Sequence, residues 1–295
     1  MTAAVPFGAR LARAMGEHGP IVAGIDPHAP LLQTWGLPDT ADGVRHFSAA
    51  VLEAVTGQVA AIKPQAAFFE RHGSAGVAAL EELLAAARDR GVLTILDAKR
   101  GDIGSTMAAY VEATLVPGAP LEADALTVSP YLGPGSLDPA LDAVQQHGKG
   151  LFVLALTSNP DGPTIQHART DQGEPVAAVM ARWAEQQHRE LPLPGENGGG
   201  AGTRAELGSV GLVIGATVGS AARDLGLDLA GSHWPILAPG FGAQGAGPAE
   251  LTSVFGPARD RVLVSVSRSL LRHGPSVDGL RRAARDLRAE YTGAA

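Results

Sequence analysis

Eight short apolar runs, spread along the whole chain, constrain this sequence most. They are 20-PIVAGID-26, 58-QVAAIK-63, 91-GVLTILDAK-99, 122-EADALTVS-129, 150-GLFVLALTS-158, 210-VGLVIGAT-217, 234-WPILAPG-240 and 261-RVLVSVS-267. Within each, apolar residues are nearly consecutive instead of alternating, so each reads as a strand covered on both faces. Helical patterns lie between them. Val44, Phe47, Val51 and Val55 fall at i, i+3, i+7 and i+11 after the first run, with Asp42 as a candidate cap. Val77, Leu80, Leu83, Leu84 and Ala87 form one stripe after the second, and Gly91 stops that helix. The last segment sets Val277, Leu280, Leu287 and Tyr291 against an arginine-rich opposite face. This alternation predicts an α/β chain folded as a (β/α)8 TIM barrel, a single domain over residues 1–295. A doubly wound open sheet would more often carry a glycine fingerprint after its first strand, and GIDPHAP is not one. The glycine run 195-GENGGGAG-202 precedes a strand, so the stretch near 191–208 reads as a flexible surface insertion.

In such a barrel the chemistry gathers where the strands end at their C-termini. The polar residues closing the runs are Asp26, Lys63, Asp97 with Lys99, Ser129, Ser158 and Thr217, followed by the Gly240 turn and Arg268. Basic composition sharpens this set. Of 23 basic residues only three are lysines, Lys63, Lys99 and Lys149, and two of the three close strands. Lysine, unlike arginine, can release a proton when its surroundings depress its pKa. Lys149, between Gly148 and Gly150, reads as a surviving loop residue.

The densest cluster is 97-DAKRGD-102. Asp97 and Lys99 stand two apart on a strand and are expected on one face, the barrel interior, with Asp102 just beyond. A lysine among carboxylates keeps its charge and keeps theirs, so the set can hold a proton donor beside a fixed negative charge. A structural ion pair at a strand end is the alternative reading of the bare pattern. At the other end of the chain, 239-PGFGAQGAG-247 precedes a helix around 248–256, and Arg268 follows the eighth run. Small residues let backbone N–H groups approach an anion, and the loops after strands seven and eight are the usual phosphate cradle of this fold.

These residues resemble a known family. The segment 95-ILDAKRGDIGST-106, with 61-AIKPQAAFFE-70 upstream and PGFGAQG and SVSRS downstream, is similar to the signature of the orotidine 5'-phosphate decarboxylases, in the spelling of their longer bacterial branch. The resemblance spans essentially the whole chain. It implies a cofactor-independent homodimer with shared active sites, converting orotidine 5'-phosphate to UMP in pyrimidine biosynthesis. It further implies a role for each matching residue. Asp26 and Lys63 would hold ribose hydroxyls, and Lys63 would also support the charge array. Asp97 would face the substrate carboxylate, and Lys99 would protonate pyrimidine C6. Asp102, Ile103 and Thr106 would reach into the neighbouring subunit's site. Ser158 would bind the pyrimidine, Gln244 would bridge base and phosphate, and Gly242 and Arg268 would bind the phosphate.

Composition narrows the rivals. A net charge of -7 argues against a broad nucleic-acid face while leaving room for a local anion pocket. The chain has no cysteine, which excludes disulfides, thiolate catalysis and Cys-ligated metal centres. Nine scattered histidines show no H-x-x-x-H or H-E-x-x-H spacing, so no metal site is expected. Trp35, Trp183 and Trp234 are too dispersed for a stacking platform and read as packing residues. No apolar run reaches the roughly 18–20 residues that span a bilayer, and the first residues lack a signal-peptide core, so a cytoplasmic protein is expected. Two alternatives stay open. One is a magnesium-dependent sugar-phosphate barrel sharing D-x-K-x-x-D, disfavoured because Lys63 would repel a cation at the second strand end. The other is a non-catalytic nucleotide-binding barrel.

Overall fold

The structure, a computed structural model, describes residues 4–190, 207–243 and 245–293. Most of the stretch near 191–208 therefore lies outside the described residues. Eight parallel strands close into a barrel in sequence order: β1 Ile21–Ile25, β2 Ala61–Pro64, β3 Leu93–Arg100, β4 Ala125–Val128, β5 Gly150–Leu156, β6 Val210–Ile214, β7 Ile236–Pro239 and β8 Val262–Val266. All eight apolar runs are strands, and the expected TIM barrel is the fold.

Two separate cores explain why these strands are apolar on both faces. The inner core takes one residue from each strand: Val22, Ala61, Ile95, Ala125, Phe152, Val213, Leu237 and Leu263. The outer core sets the alternate residues, such as Ile21, Ile62, Leu96 and Leu126, against the surrounding helices. Those helices include Ala41–Val55, Gly73–Asp89, Gly104–Thr114, Asp138–His147, Val176–Glu190, Pro248–Phe255 and Val277–Thr292. The cap of Ala41–Val55 is not Asp42. Thr40 stands at the N-cap and accepts from the Gly43 N–H at 3.2 Å, which leaves Asp42 in the first turn. Gly91 does end its helix, with φ of 67°.

One element was not expected. The helix Phe7–His18 buries Phe7, Leu11 and Met15 at i, i+4 and i+8 in the inner core, so it packs across the N-terminal end of the barrel. Phe7 meets Phe152 edge-on, ring centroids 6.0 Å apart. Gly150 makes room for it, because a Cβ there would lie 2.3 Å from the Phe7 ring. The sixth crossover also departs from a full β/α unit, with only the four-residue helix Ala221–Asp224. Arg261, 5% exposed, donates to the carbonyls of Leu229 and Ser232 and holds the stretch leading into β7.

Lys149 is buried, not loosely looped. Its ammonium donates to Glu122 at 2.7 Å and to the Ala123 carbonyl at 2.9 Å, a structural role next to the start of β5. Trp35, Trp183 and Trp234 are all buried packing residues. No helix is long and apolar enough to cross a membrane among the described residues.

Candidate active site

The C-terminal ends of β1, β2, β3 and β8 bring the charged candidates together. Asp97 is the hub. Its Oδ2 accepts from Lys63 Nζ at 2.7 Å, and its Oδ1 accepts from Lys99 Nζ at 2.6 Å. A third donor, the Thr127 hydroxyl on β4, reaches Oδ1 at 2.9 Å. The Gln65 amide, oriented so that both its atoms are paired, donates to the Asp97 carbonyl and accepts from Lys99 Nζ at 3.2 Å. Burial by itself would raise the Asp97 carboxyl, but the Lys63 and Lys99 ammoniums outweigh it and hold the group well below the usual carboxylate range. For Lys63, burial favours the neutral amine, while Asp97 and Asp26 favour the ammonium and win, so its pKa is raised. The array is therefore ionised throughout the neutral range at Asp97 and Lys63.

Asp97 and Lys99 do meet, but not by the simple alternation of a strand. Lys99 has a φ of 48°, which makes it the one non-glycine residue with positive φ among the described residues. Such a backbone costs about 1–2 kcal/mol in an L-residue. Pairing of β3 with β4 shows the cause. Leu96 pairs with Leu126 and Arg100 with Val128, so β3 spends extra residues on this stretch and bulges. The bulge turns the Lys99 side chain, 44% exposed, toward the mouth of the barrel, whereas Asp97 stays buried.

Beside the array lies a cavity of about 490 Å³. Asp26, Lys63, His28 and Phe68 line one part of it, and Gly240, Phe241, Ala243, Ser267 and Arg268 another. A volume of several hundred Å³ is ordinary for a small-molecule site. Asp26 Oδ1 is buried with no hydrogen-bond partner among the described residues, an acceptor suited to a hydroxyl. Arg268 is exposed at the rim of this cavity, just past β8, which pairs with β1, and it begins the short helix Arg268–Leu271. The adjoining turn folds on itself, with Gly242 N–H donating to the Ala246 carbonyl at 2.8 Å. Gly242 has φ of 72°, and a Cβ there would lie 2.8 Å from the Ser269 side chain, so glycine is required twice over.

The remaining candidates stand apart from the array. Asp102 lies in the loop after β3 and accepts from the Ile103 N–H at 2.8 Å. Among the described residues no hydrogen bond or ion pair joins it to Asp97 or Lys99. Ile103 is 62% exposed, and Thr106 is exposed on the helix that follows. Ser158 is exposed just past β5. Gln244 lies outside the described residues. Among the described residues, no group of three or more His, Asp or Glu is placed to hold a metal ion.

Thr127, Gln65 and His28 were not expected in the site. Gln65 could have been found, since it stands two residues after Lys63, just past the end of the same strand. Thr127 carried no such signal, because a threonine in an apolar run is an ordinary strand residue.

Comparison with known proteins gives this geometry its context. The family model described as orotidine 5'-phosphate decarboxylase / HUMPS family matches residues 20–283. The chain is 55% identical over 280 residues to an orotidine 5'-phosphate decarboxylase of Streptomyces coelicolor, covering 95% of this chain and 94% of the relative. Against the orotidine 5'-phosphate decarboxylase of Corynebacterium glutamicum strain R it is 42% identical over 287 residues, covering 97% and 98%. A crystal structure of an orotidine 5'-phosphate decarboxylase from Streptomyces avermitilis superposes with a TM-score of 0.90 at 52% identity, covering 99% of this chain and 97% of that one. The Leishmania donovani OMP decarboxylase superposes with a TM-score of 0.75 at 30% identity, covering 98% of each chain. The family model over residues 20–283, together with relatives 42–55% identical over nearly the whole chain and the close superposition of the closed barrel, places the chain in the orotidine 5'-phosphate decarboxylase / HUMPS family.

Proposed function

We propose that this protein decarboxylates orotidine 5'-phosphate to UMP, with Lys99 as the proton donor to C6. The observation that carries the reading is the single carboxylate of Asp97 clamped between two ammoniums beside a cavity that an arginine also lines. Loss of CO2 from C6 leaves a localised vinylic carbanion that the pyrimidine ring delocalises poorly. An ammonium held beside it stabilises that charge without reorganising and then supplies the proton. Lys99 suits this task because its ammonium is fixed by Asp97 yet 44% exposed toward the mouth. Asp97 faces the substrate carboxylate, and its charge favours departure of the carboxylate as neutral CO2. Asp26 and Lys63 hold the ribose hydroxyls, using the unpaired Asp26 Oδ1. Arg268 and the Gly242 turn take the phosphate, assisted by Gln244, and Ser158 takes the pyrimidine. Binding of the distant phosphate supplies energy that orders the site for reaction.

Asp102, Ile103 and Thr106 point the reading toward a homodimer. Among the described residues no hydrogen bond or ion pair ties Asp102 to the array, and Ile103 joins Tyr131 and Leu132, 75% and 54% exposed, as large apolar groups in the loops after β3 and β4. A second copy packed there covers them and receives Asp102 into its own site. No resident cofactor is required by this mechanism, and a cytoplasmic location suits it.

The magnesium-dependent sugar-phosphate reading is disfavoured by Lys63, whose ammonium occupies Asp97 Oδ2 at 2.7 Å and opposes a divalent cation. The deciding experiment follows the absorbance of orotidine 5'-phosphate with EDTA-treated protein. Turnover that survives EDTA and is abolished in Lys99→Ala and Lys99→Arg supports the proposal, since a guanidinium is too weak an acid to replace the ammonium. UMP binding without turnover would instead make the barrel a nucleotide-binding protein.

A further inference from the structure

We propose that Thr127 is a positioning residue for the reaction: its one hydroxyl fixes both Lys99 and Asp97. This rests on the function proposed above. The bulge in β3 falls between the Leu96–Leu126 and Arg100–Val128 pairs, so Lys99 lies outside the regular ladder. Thr127 Oγ1 takes its backbone N–H at 3.0 Å. A hydroxyl has one proton, and an amide N–H can only donate. The oxygen is therefore the acceptor toward Lys99, and its proton goes to Asp97 Oδ1 at 2.9 Å. The same Oδ1 receives Lys99 Nζ at 2.6 Å. A closed circuit results, running from the Lys99 backbone through the Thr127 hydroxyl and the Asp97 carboxylate back to the Lys99 ammonium.

This circuit has a specific purpose for a residue in Lys99's conformation. A left-handed backbone at a lysine persists only where its surroundings hold it. Thr127 is 1% exposed and lies on β4, so water does not replace its hydroxyl. The other groups facing Asp97 are Lys63 from β2, Gln65 just past that strand and Lys99 from its own strand, with Asp26 just past β1 acting through Lys63. Among the described residues none of Lys63, Gln65 and Asp26 shows a hydrogen bond to the Lys99 backbone, which Thr127 holds. Thr127 thereby sets where the Lys99 ammonium stands relative to the reacting carbon, and it does so without touching substrate.

Thr127→Val keeps the shape and removes the hydroxyl, Thr127→Ser keeps the hydroxyl, and Thr127→Ala replaces Val should Val fail to fold. Misplacing a catalytic group by a fraction of an ångström to an ångström lowers rate by up to about 100-fold. The expected result is kcat down by about 10- to 100-fold in Thr127→Val or Thr127→Ala. KM and the Kd for UMP stay near wild type, and Thr127→Ser returns kcat to near wild type. Wild-type kcat in the hydroxyl-less variants would overturn the inference, as would an equal loss in Thr127→Ser or a loss confined to KM. Hydrogen exchange at the Lys99 amide provides a readout free of substrate: protected in wild type and Thr127→Ser, faster in Thr127→Val. Exchange unaltered by Thr127→Val refutes the clamp even with the decarboxylase reading intact. A wild type with a protected, Thr127-dependent amide but no turnover of orotidine 5'-phosphate refutes the function while locating the failure there.

Discussion

Lys63→Met should unmask how strongly the site depends on its internal charge balance. The side chains of Lys63 and Asp97 are each 10% exposed and lie 2.7 Å apart. Methionine fills the lysine stem's space but leaves the carboxylate with Lys99 as its one ammonium, and that partner is 44% exposed and correspondingly screened. Breaking a buried pair from one side costs about 3–5 kcal/mol, because the remaining charge stays desolvated. The loss has a pH signature. The folded protein holds the Asp97 carboxyl below its unfolded value, so this group contributes stability above about pH 4 and loses it as the pH falls further. Removing Lys63 takes away the stronger of the two ammonium effects on Asp97, so the gap between wild type and variant is widest near pH 7 and narrows toward pH 3. Lys63 itself has a raised pKa, so its contribution persists below about pH 10.4 and is lost as the pH rises beyond it. The gap narrows on that side as well. Urea unfolding from pH 3 to pH 11 measures both limbs. The double variant Lys63→Met with Asp97→Leu removes both buried charges and should lose less than the sum of the two single variants by at least about 1 kcal/mol. A deficit under about 1 kcal/mol at pH 7, or one that does not change with pH, would refute the reasoning.

Three further outcomes are expected. Arg268→Ala should raise KM for orotidine 5'-phosphate and lower kcat/KM by an amount worth about 2–5 kcal/mol, measured by steady-state kinetics; unchanged kinetics on the phosphorylated substrate would remove Arg268 from the phosphate site. Lys99→Ala and Asp102→Ala proteins, each nearly inactive alone, should recover about a quarter of wild-type activity after subunit exchange, because half of the dimers are mixed and each mixed dimer holds one intact site. No recovery despite demonstrated exchange would assign Asp102 to its own chain's site. Phe7→Ala should cost about 3–5 kcal/mol in urea unfolding through the cavity left beneath Phe152, with KM unaltered; a loss below about 1 kcal/mol would mean the helix Phe7–His18 does not seal the barrel.

The barrel was legible in the sequence because its signal is local. A strand covered on both faces must be apolar at consecutive positions, and eight such runs separated by helical stripes leave few alternatives. The polar residues closing those runs were legible for the same reason, and Asp26, Lys63, Asp97, Lys99 and Arg268 do stand around one mouth. What the sequence did not determine depends on contacts made only after closure. The stripe of Phe7, Leu11 and Met15 has no meaning until eight strands create an open base for it to fill. Strand alternation places Asp97 and Lys99 on one face, but their actual meeting is made by a bulge and a left-handed lysine, which depend on the register of β3 against β4. Thr127 became part of the site through that same register, since 28 residues separate it from the backbone N–H it binds. Residue types and periodicity thus determined the layers and the location of the chemistry. Tertiary structure alone decided which donor reaches which oxygen, because hydrogen-bond geometry is set by tenths of an ångström between segments distant in the chain.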